Sequence, residues 1–468
     1  MPMQIEKAKF QEWAKELNSV LDVARANIGK NRFELLQLLS KDDVLWSMIW
    51  SSNDQDNFYL TRSGYRLLEK IVTRYLEYFS LSQVSIQKLM DIFIKEISAI
   101  FKAKPKKQWS YKDISSSLEN IKIFATQQLV ETTHYKVCMF PNDNSLDEFL
   151  IGPVKFVKPD KLWKSLEDRI GEYVNNDKNS RYISDAKEYY EKYDWIACIT
   201  IFNCNENVSH RHAEVCIDLV VNFISLFFNN QFIEITSEES LLHKKEYDIY
   251  IDHTGKLNVN YNLKFSRDRS GDINWVNRIY EEPYATILNY LGDFILHLAN
   301  FSNSSILTKK FHAAFNLYRE GVRENSKSSA IIKFATALEY MVQYGEKGKR
   351  IENIKCNQCN NEIEYEVNDL VSQMFYDRVQ YFYEGKIDNK SSIRQDIKKL
   401  YDIRSGIVHG SIFQEDELIY SFYPKALEIL NVCLVHFLTW VGKTGFDYEV
   451  TNEQVIAFLS KINSQPAP

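Results

Sequence analysis

Apolar residues recur at helical spacing towards both ends of the chain, whereas its middle changes pattern several times. From Phe10 to about Phe101, Trp, Leu, Ile and Phe recur at helical intervals, which indicates amphipathic helices. The charged, proline-containing stretch 101–109 then predicts a linker. From Tyr284 onward the helical spacing returns. The chain is therefore predicted to be mostly α with a mixed α/β middle region.

The middle region contains both strand and helix patterns. Segments 134–140 and 195–202 predict strands, and 213–228 predicts a helix. Segment 247–263 alternates around Asp252-His253-Thr254-Gly255, which predicts a β-hairpin. These patterns divide the chain into three regions: a helical region 1–105, a mixed α/β region 106–303 and a helical domain 304–468.

The segment with the most informative side chains is Tyr401–Gly410, at the end of a predicted helix. Ser392 and Gln395 have capping-box spacing and predict that this helix starts at Ser391-Ser392. At 100° per residue, the members of one apolar stripe all lie within about 40° of a single direction. The stripe contains Ile393, Ile397, Leu400 and Ile407.

Arg404 falls in that same stripe. Because a guanidinium cannot be neutralised, Arg404 needs a buried carboxylate, a cleft or a subunit interface. His409 stands at the predicted helix end, where Gly410 suits the position just beyond a C-terminal cap. An arginine and a histidine in this setting make the helix end a candidate functional site.

The sequence L-Y-D-I-R-S-G-I-V-H-G, residues 400–410, resembles the catalytic motif of HEPN-domain ribonucleases, and more narrowly of the Apea-like HEPN family. A second block, K-F-A-T-A-L-E-Y-M at 333–341, resembles that family's upstream helix with its Ala-Leu-Glu core. The resemblance covers roughly 308–442. It implies a C-terminal HEPN-type helical bundle and a homodimer formed through it. It also implies an endoribonuclease that uses no metal or other cofactor and leaves a 2′,3′-cyclic phosphate.

The same resemblance implies a biological role. The family is associated with toxins of anti-phage defence that act by abortive infection. The N-terminal regions would then restrain the ribonuclease and sense a phage-derived trigger, and tRNA or mRNA would be the substrate. A helical module that binds RNA, nucleotide or protein without cutting is the alternative.

The resemblance assigns catalysis to Arg404 and His409. Arginine grips two phosphate oxygens at once, and histidine titrates near neutrality and suits proton transfer. Asp402 and Ser405 share the polar face with His409, which makes them candidate supporting residues or solvated side chains. Glu339 is either the ion-pair partner of Arg404 or a carboxylate at the solvent edge.

One regular helix places Arg404 and His409 about 140° apart, so it does not bring both to one phosphate. Two arrangements could still bring them together. Either Gly406 and Gly410 distort the last turn of the helix, or the site is assembled across a two-fold dimer.

RNA binding would depend on local charge, because the net charge of −6 is not that of a typical nucleic-acid-binding protein. Arg394, Lys398 and Lys399 on the motif helix and the cluster 347–350 are candidate phosphate contacts. The aromatic run 376–383 predicts either a packed core or a surface that stacks on bases.

The seven cysteines, an odd number in a chain with no apparent secretory signal, predict reduced thiols and a cytoplasmic protein. Cys356 and Cys359 form only half of a zinc knuckle, so they indicate either an incomplete zinc site or two free thiols. The apolar run 215–228 is too short to cross a bilayer, and no membrane partner is expected.

Overall fold

A computed structural model describes most of the chain, and its elements are mostly helical with a small antiparallel sheet. The described residues are 11–20, 45–49, 58–103, 110–138, 140, 146–173, 177–228, 244–251, 257–264, 275–300, 306–343, 349–355, 362–368, 371–413, 416–444, 451, 453–457 and 459. They form two compact units: Met1–Thr132 with Ile201–His212, and Thr133–Thr200 with Ala213–Pro468. The proposed division into three regions stays a prediction.

The first unit is built mainly from helices. Residues 11–20 are helical, followed by α1 (Arg62–Tyr78), α2 (Ile86–Ala103) and α3 (Tyr111–Thr126). Their shared core contains the aromatic side chains of Trp13, Tyr75 and Phe93. The helical prediction for this region was wrong at one place, because β1 (Leu45–Ile49) pairs antiparallel with β2 (Phe58–Thr61).

A four-stranded sheet follows in the chain, and it confirms the two predicted strands. Its members are β3 (Val130–Cys138), β4 (Glu148–Ile151), β5 (Val154–Val157) and β6 (Trp195–Cys204), in the order β3-β6-β5-β4. Strands β4 and β5, and β5 and β6, run antiparallel. The sheet's core is aromatic, with Phe149 stacked on Phe156 and edge-on to Trp195.

Three helices accompany these strands along the chain: α4 (Pro159–Tyr173), α5 (Asp177–Tyr190) and α6 (Glu206–Phe228). The apolar run 215–228 lies in α6, and its residues 216–217 and 219–224 are buried, in agreement with the predicted buried helix. Strands β7 (Lys244–Ile251) and β8 (Leu257–Lys264) pair antiparallel, which confirms the hairpin.

The C-terminal part of the second unit is a group of packed helices. They are α7 (Trp275–Arg278), α8 (Tyr284–Ala299), α9 (Ile306–Val322), α10 (Lys327–Val342), α11 (Val371–Glu384), α12 (Ser392–Val408) and α13 (Glu417–Thr444). The antiparallel strands β9 (Lys349–Lys355) and β10 (Glu362–Asn368) stand between α10 and α11 in the chain. Phe311, Phe334 and Phe437 are fully buried in this group.

Helix α13 is the longest described helix. Among the described residues it alone is long and apolar enough, by length and composition, to cross a membrane. Ala426, Leu430, Leu434 and Leu438 on α13 are nevertheless completely buried inside the protein. The helix is therefore a principal core element of the group that contains the motif helix α12.

Candidate functional site

Helix α12 presents the motif, and it starts at Ser391-Ser392 as predicted, although its cap is Ser391 rather than Ser392. Ser391 is the N-cap: its backbone is extended and its Oγ accepts a hydrogen bond from the Ile393 amide. Its hydroxyl also donates to Glu384 on α11. The predicted pairing of Ser392 with Gln395 was wrong because Ser391, held by Glu384, occupies the cap position.

The apolar stripe of α12 is buried largely as predicted. Ile393, Ile397 and Leu400 are buried, whereas Ile407 is only half-buried. Ile403, which the stripe did not include, is buried near the C-terminal end of the helix. The buried face therefore turns along the helix, and this leaves Arg404 at its edge.

The C-terminal end of α12 is a complete Schellman motif. Gly410 has φ +74°, its amide donates to Ile407 O (3.2 Å), and the Ser411 amide donates to Gly406 O (2.8 Å). The His409 amide still makes the helical bond to Ser405 O (2.9 Å). Gly406 therefore does not break the helix, and the angle of about 140° between Arg404 and His409 stands.

Arg404 meets Glu339, as expected for an ion-pair partner. Its Nη2 atom lies 3.5 Å from Glu339 Oε2, and the two side chains are 27% and 18% exposed. Arg404 has no other hydrogen-bond partner among the described residues, and its Nε atom is buried without an acceptor there. The guanidinium is thus held at the edge of the core by one long contact to a described residue, and its buried Nε atom has no acceptor in the described part of the chain.

The electrostatics of Glu339 fit that picture. Burial raises the pKa of the Glu339 carboxyl above its ordinary value, and the nearby Arg404 guanidinium only partly offsets this. The ion pair is therefore too weak to cancel the cost of burying the carboxylate.

The polar face of α12 contains the other motif residues. His409 and Asp402 are exposed and Ser405 is half-buried. No side-chain hydrogen bond joins Ser405 to His409 in the described part of the chain; their bond is between backbone atoms. The Asp402 carboxylate lies close enough to Tyr376 to help raise the pKa of that phenol, after burial. The supporting roles expected for Ser405 and Asp402 stay predictions.

Arg394 does not belong to an exposed basic surface. It is 9% exposed, and its guanidinium binds Asp377 Oδ1 (2.5 Å) and Gln380 Oε1 (2.9 Å) on α11. The expectation that Arg394 contacts RNA is corrected for this reason: the side chain joins α12 to α11. Lys398 and Lys399 are exposed, and Lys399 Nζ lies 4.9 Å from the centre of the Phe422 ring.

Two rings of the aromatic run 376–383 pack against other helices, which favours the packed-core interpretation. Phe382 is 3% exposed and packs against Phe437 and Trp440. Tyr376 packs edge-on against Tyr401 of the motif helix. These contacts place the rings of Tyr376 and Phe382 against other aromatic side chains of the protein.

Two cationic side chains that the sequence analysis missed hold the end of α10 near Glu339. Lys310 Nζ on α9 donates to Tyr340 O (3.2 Å) and to Gln343 O. Arg378 Nη1 on α11 donates to Val342 O (2.7 Å). The available signal was that no glycine directly follows Val342 to cap α10.

The candidate metal ligands Cys356 and Cys359, and residues 347 and 348 of the basic cluster, lie outside the described residues. Among the described residues, no group of three or more His, Cys, Asp or Glu side chains could hold a metal ion. The described cysteines are free thiols, and burial raises the pKa of Cys138 and of Cys216 to about 12. His210 and His212 lie in α6.

A separate cavity of about 880 Å³ lies at the start of α4 and is lined by none of the motif residues. Its charged lining is mixed: Lys158, Lys161, Lys164, Asp147, Asp160, Glu191 and Asp194. With cations and anions nearly balanced, the cavity does not indicate one class of ligand.

Comparison of the chain with protein-family models, with curated proteins and with solved structures found no match.

Proposed function

We propose that this protein is a metal-independent endoribonuclease whose site is built on the end of helix α12. The observation that best supports the proposal is the state of Arg404. Its guanidinium is at the edge of the core, touches one carboxylate at 3.5 Å and has a buried Nε atom without an acceptor in the described part of the chain. An arginine in this state is suited to donate hydrogen bonds to phosphate oxygens, which it binds two at a time.

The proposed chemistry uses the RNA's own 2′-hydroxyl as the nucleophile. His409 takes the proton from the 2′-hydroxyl and supplies a proton to the 5′-leaving oxygen. Arg404 stabilises the negative charge that develops on the phosphate oxygens. The 2′-oxygen bonds to phosphorus as the bond to the 5′-oxygen breaks, so the product is a 2′,3′-cyclic phosphate. Glu339 is the counter-ion of Arg404 in the absence of RNA.

The intact helix end favours a site shared by two chains over a site within one. Because α12 stays helical to Val408, Arg404 and His409 of one chain point about 140° apart. In a two-fold dimer with facing α12 helices, Arg404 of one subunit can approach His409 of the partner subunit. Lys398 and Lys399 would flank the groove and attract the RNA backbone.

The HEPN-type bundle, the role in anti-phage defence and the restraint by the N-terminal regions belong to the same proposal. They are supported by the sequence resemblance of residues 308–442. A growth assay tests the toxic role: expression should stop growth only when Arg404 and His409 are intact, or when a phage-derived trigger is also supplied.

The cleavage assay compares wild type with Arg404→Ala and His409→Ala on tRNA and total RNA in EDTA. Arg211→Ala and His210→Ala, an exposed pair on α6, are the matched controls. We expect the controls to cleave like wild type and both motif variants to lose activity by roughly a hundredfold or more. Wild-type-like cleavage by the motif variants would remove the assignment.

Mixing the two motif variants tests the shared site. A site made of Arg404 from one subunit and His409 of the partner subunit is restored in mixed dimers, once per dimer. Random mixing should therefore recover about a quarter of wild-type activity. No recovery, together with light scattering that shows only monomer in an active sample, would place the site within one chain.

A non-cutting RNA-, nucleotide- or protein-binding module is the second candidate. The observation that favours it is that no described side chain orients His409. RNA that is bound in an Arg404-dependent way but never cut, even by the toxic wild type, would support it.

A further inference from the structure

Helix α10, which contains Glu339, ends at an extended residue rather than at a left-handed glycine. Its C-cap, Gln343, is extended (φ −104°, ψ 129°), and the Gln343 amide makes the last helical bond, to Glu339 O. The carbonyl groups beyond Glu339 therefore have no partner within the helix. Many helices satisfy such groups with a left-handed glycine, which α10 does not have at this position.

Neighbouring helices supply the missing donors. Lys310 on α9 binds the carbonyl oxygens of Tyr340 and Gln343, and Arg378 on α11 binds that of Val342. Cations at a helix C-terminus are also favoured by the helix dipole. Arg378 is 2% exposed, so its bond is shielded from water.

This last turn contains the carboxylate that meets Arg404. Glu339 is four residues before Gln343, and its contact with Arg404 is 3.5 Å, at the outer limit of a hydrogen bond. A small displacement of the turn would therefore break the contact. Lys310 and Arg378 do not contact Glu339 in the structure; they contact the backbone that sets its position.

We propose that Lys310 and Arg378 are positioning residues of the Arg404 site, which fix the last turn of α10 and so place Glu339 against the Arg404 guanidinium. The inference rests on the proposed function for its consequence in catalysis. The structural part of the inference, that Lys310 and Arg378 hold Glu339 in place, is independent of the proposed function. A carboxylate held in a fixed position keeps the Arg404 guanidinium in one rotamer until the phosphate replaces that carboxylate.

Lys310 offers the cleaner test, because it is only half-buried and its replacement leaves no buried charge. Lys310→Met retains the aliphatic length and removes the donor. Lys309→Met, the exposed neighbour on the same helix, is the matched control. Lys310→Arg returns a cationic donor and should rescue the defect.

The first measurement does not depend on activity. Backbone hydrogen exchange in 336–343 should rise roughly fivefold in Lys310→Met, because a turn with unpaired carbonyls opens more often. Exchange should stay at the wild-type level in Lys309→Met and return towards it in Lys310→Arg. Unchanged exchange in Lys310→Met would overturn the proposal, whether or not the protein cleaves RNA.

The second measurement follows RNA cleavage. In Lys310→Met we expect KM to rise roughly tenfold with kcat within about threefold, since Glu339 orders the Arg404 guanidinium only until RNA binds. In a Glu339→Gln background the same change should add less than about twofold, because the carboxylate that it positions is already gone. An equal loss in both backgrounds would mean that Lys310 does not act through Glu339. If wild type does not cleave RNA at all, the proposed function fails, and the exchange measurement alone decides this inference.

Discussion

Replacing Glu339 with glutamine should cost the fold almost nothing, although it removes one partner of an ion pair. The pair makes a single contact of 3.5 Å between side chains that are 18% and 27% exposed. Contacts of that kind contribute about 0–1 kcal/mol. Burial also raises the pKa of Glu339 despite Arg404, which means that the charged form is disfavoured in the fold.

The sign of the pH dependence follows from that shift. A carboxyl whose pKa is higher in the folded state stabilises the protein below its unfolded pKa, about 4.3 for glutamate. This contribution is lost as the pH rises through the folded pKa. Wild type should therefore lose stability relative to Glu339→Gln over that window, and the two should differ by no more than about 1 kcal/mol at pH 7.5.

The nearby pair Asp377–Arg394 provides the contrast. These side chains are 18% and 11% exposed, and Arg394 also binds Gln380. Asp377→Asn should cost about 3–5 kcal/mol, because it leaves a buried guanidinium without its carboxylate.

Denaturant unfolding of the full chain between pH 4.5 and 8 would measure both variants, and thermal scans would give the same ranking. A loss greater than about 2 kcal/mol for Glu339→Gln at pH 7.5 would refute the reasoning, since it exceeds what one long, partly exposed contact supplies. A wild-type advantage that grows with pH would refute it as well.

Two further changes test the parts of the second unit that frame the site. Gly410→Ala should destabilise by about 1 kcal/mol in urea unfolding, because its φ of +74° is strained for alanine, whereas Gly410→Asn should cost less. Asp218→Asn should lower urea stability by about 3 kcal/mol, since Asp218 binds both Lys136 and Arg319 at 2.9 Å. The exposed Asp185→Asn is its control, and equal losses in both would show that the two ion pairs contribute little.

The sequence predicted those features that depend on local periodicity. The hairpin β7–β8, the helix end at Gly410 and the buried positions Ile393, Ile397 and Leu400 all follow from spacing along one segment. The meeting of Glu339 with Arg404 was expected from the resemblance, and the structure has that contact.

The features that sequence did not predict depend on neighbours from other segments. Arg394 looks like a surface cation until Asp377 and Gln380 of α11 are placed beside it. Ser391 rather than Ser392 caps α12, and the hydroxyl of Ser391 donates a hydrogen bond to Glu384, which is also on α11. Lys310 has no local pattern at all, since its partners are backbone carbonyls about 30 residues away.

The weakness of the Arg404–Glu339 pair is what suits it to the proposed reaction. A pair as buried as Arg394–Asp377 would hold its guanidinium against any incoming anion, because removing either partner leaves a desolvated charge. In the proposed reaction, Arg404 would instead give up one long contact to Glu339 and gain two short charge-assisted bonds to the phosphate. Glu339 then needs only water or a proton, and its raised pKa makes the proton easier to take up. Helix α12 therefore contains one buried arginine, Arg394, which stabilises the fold, and one partly exposed arginine, Arg404, which is suited to the proposed exchange of anions.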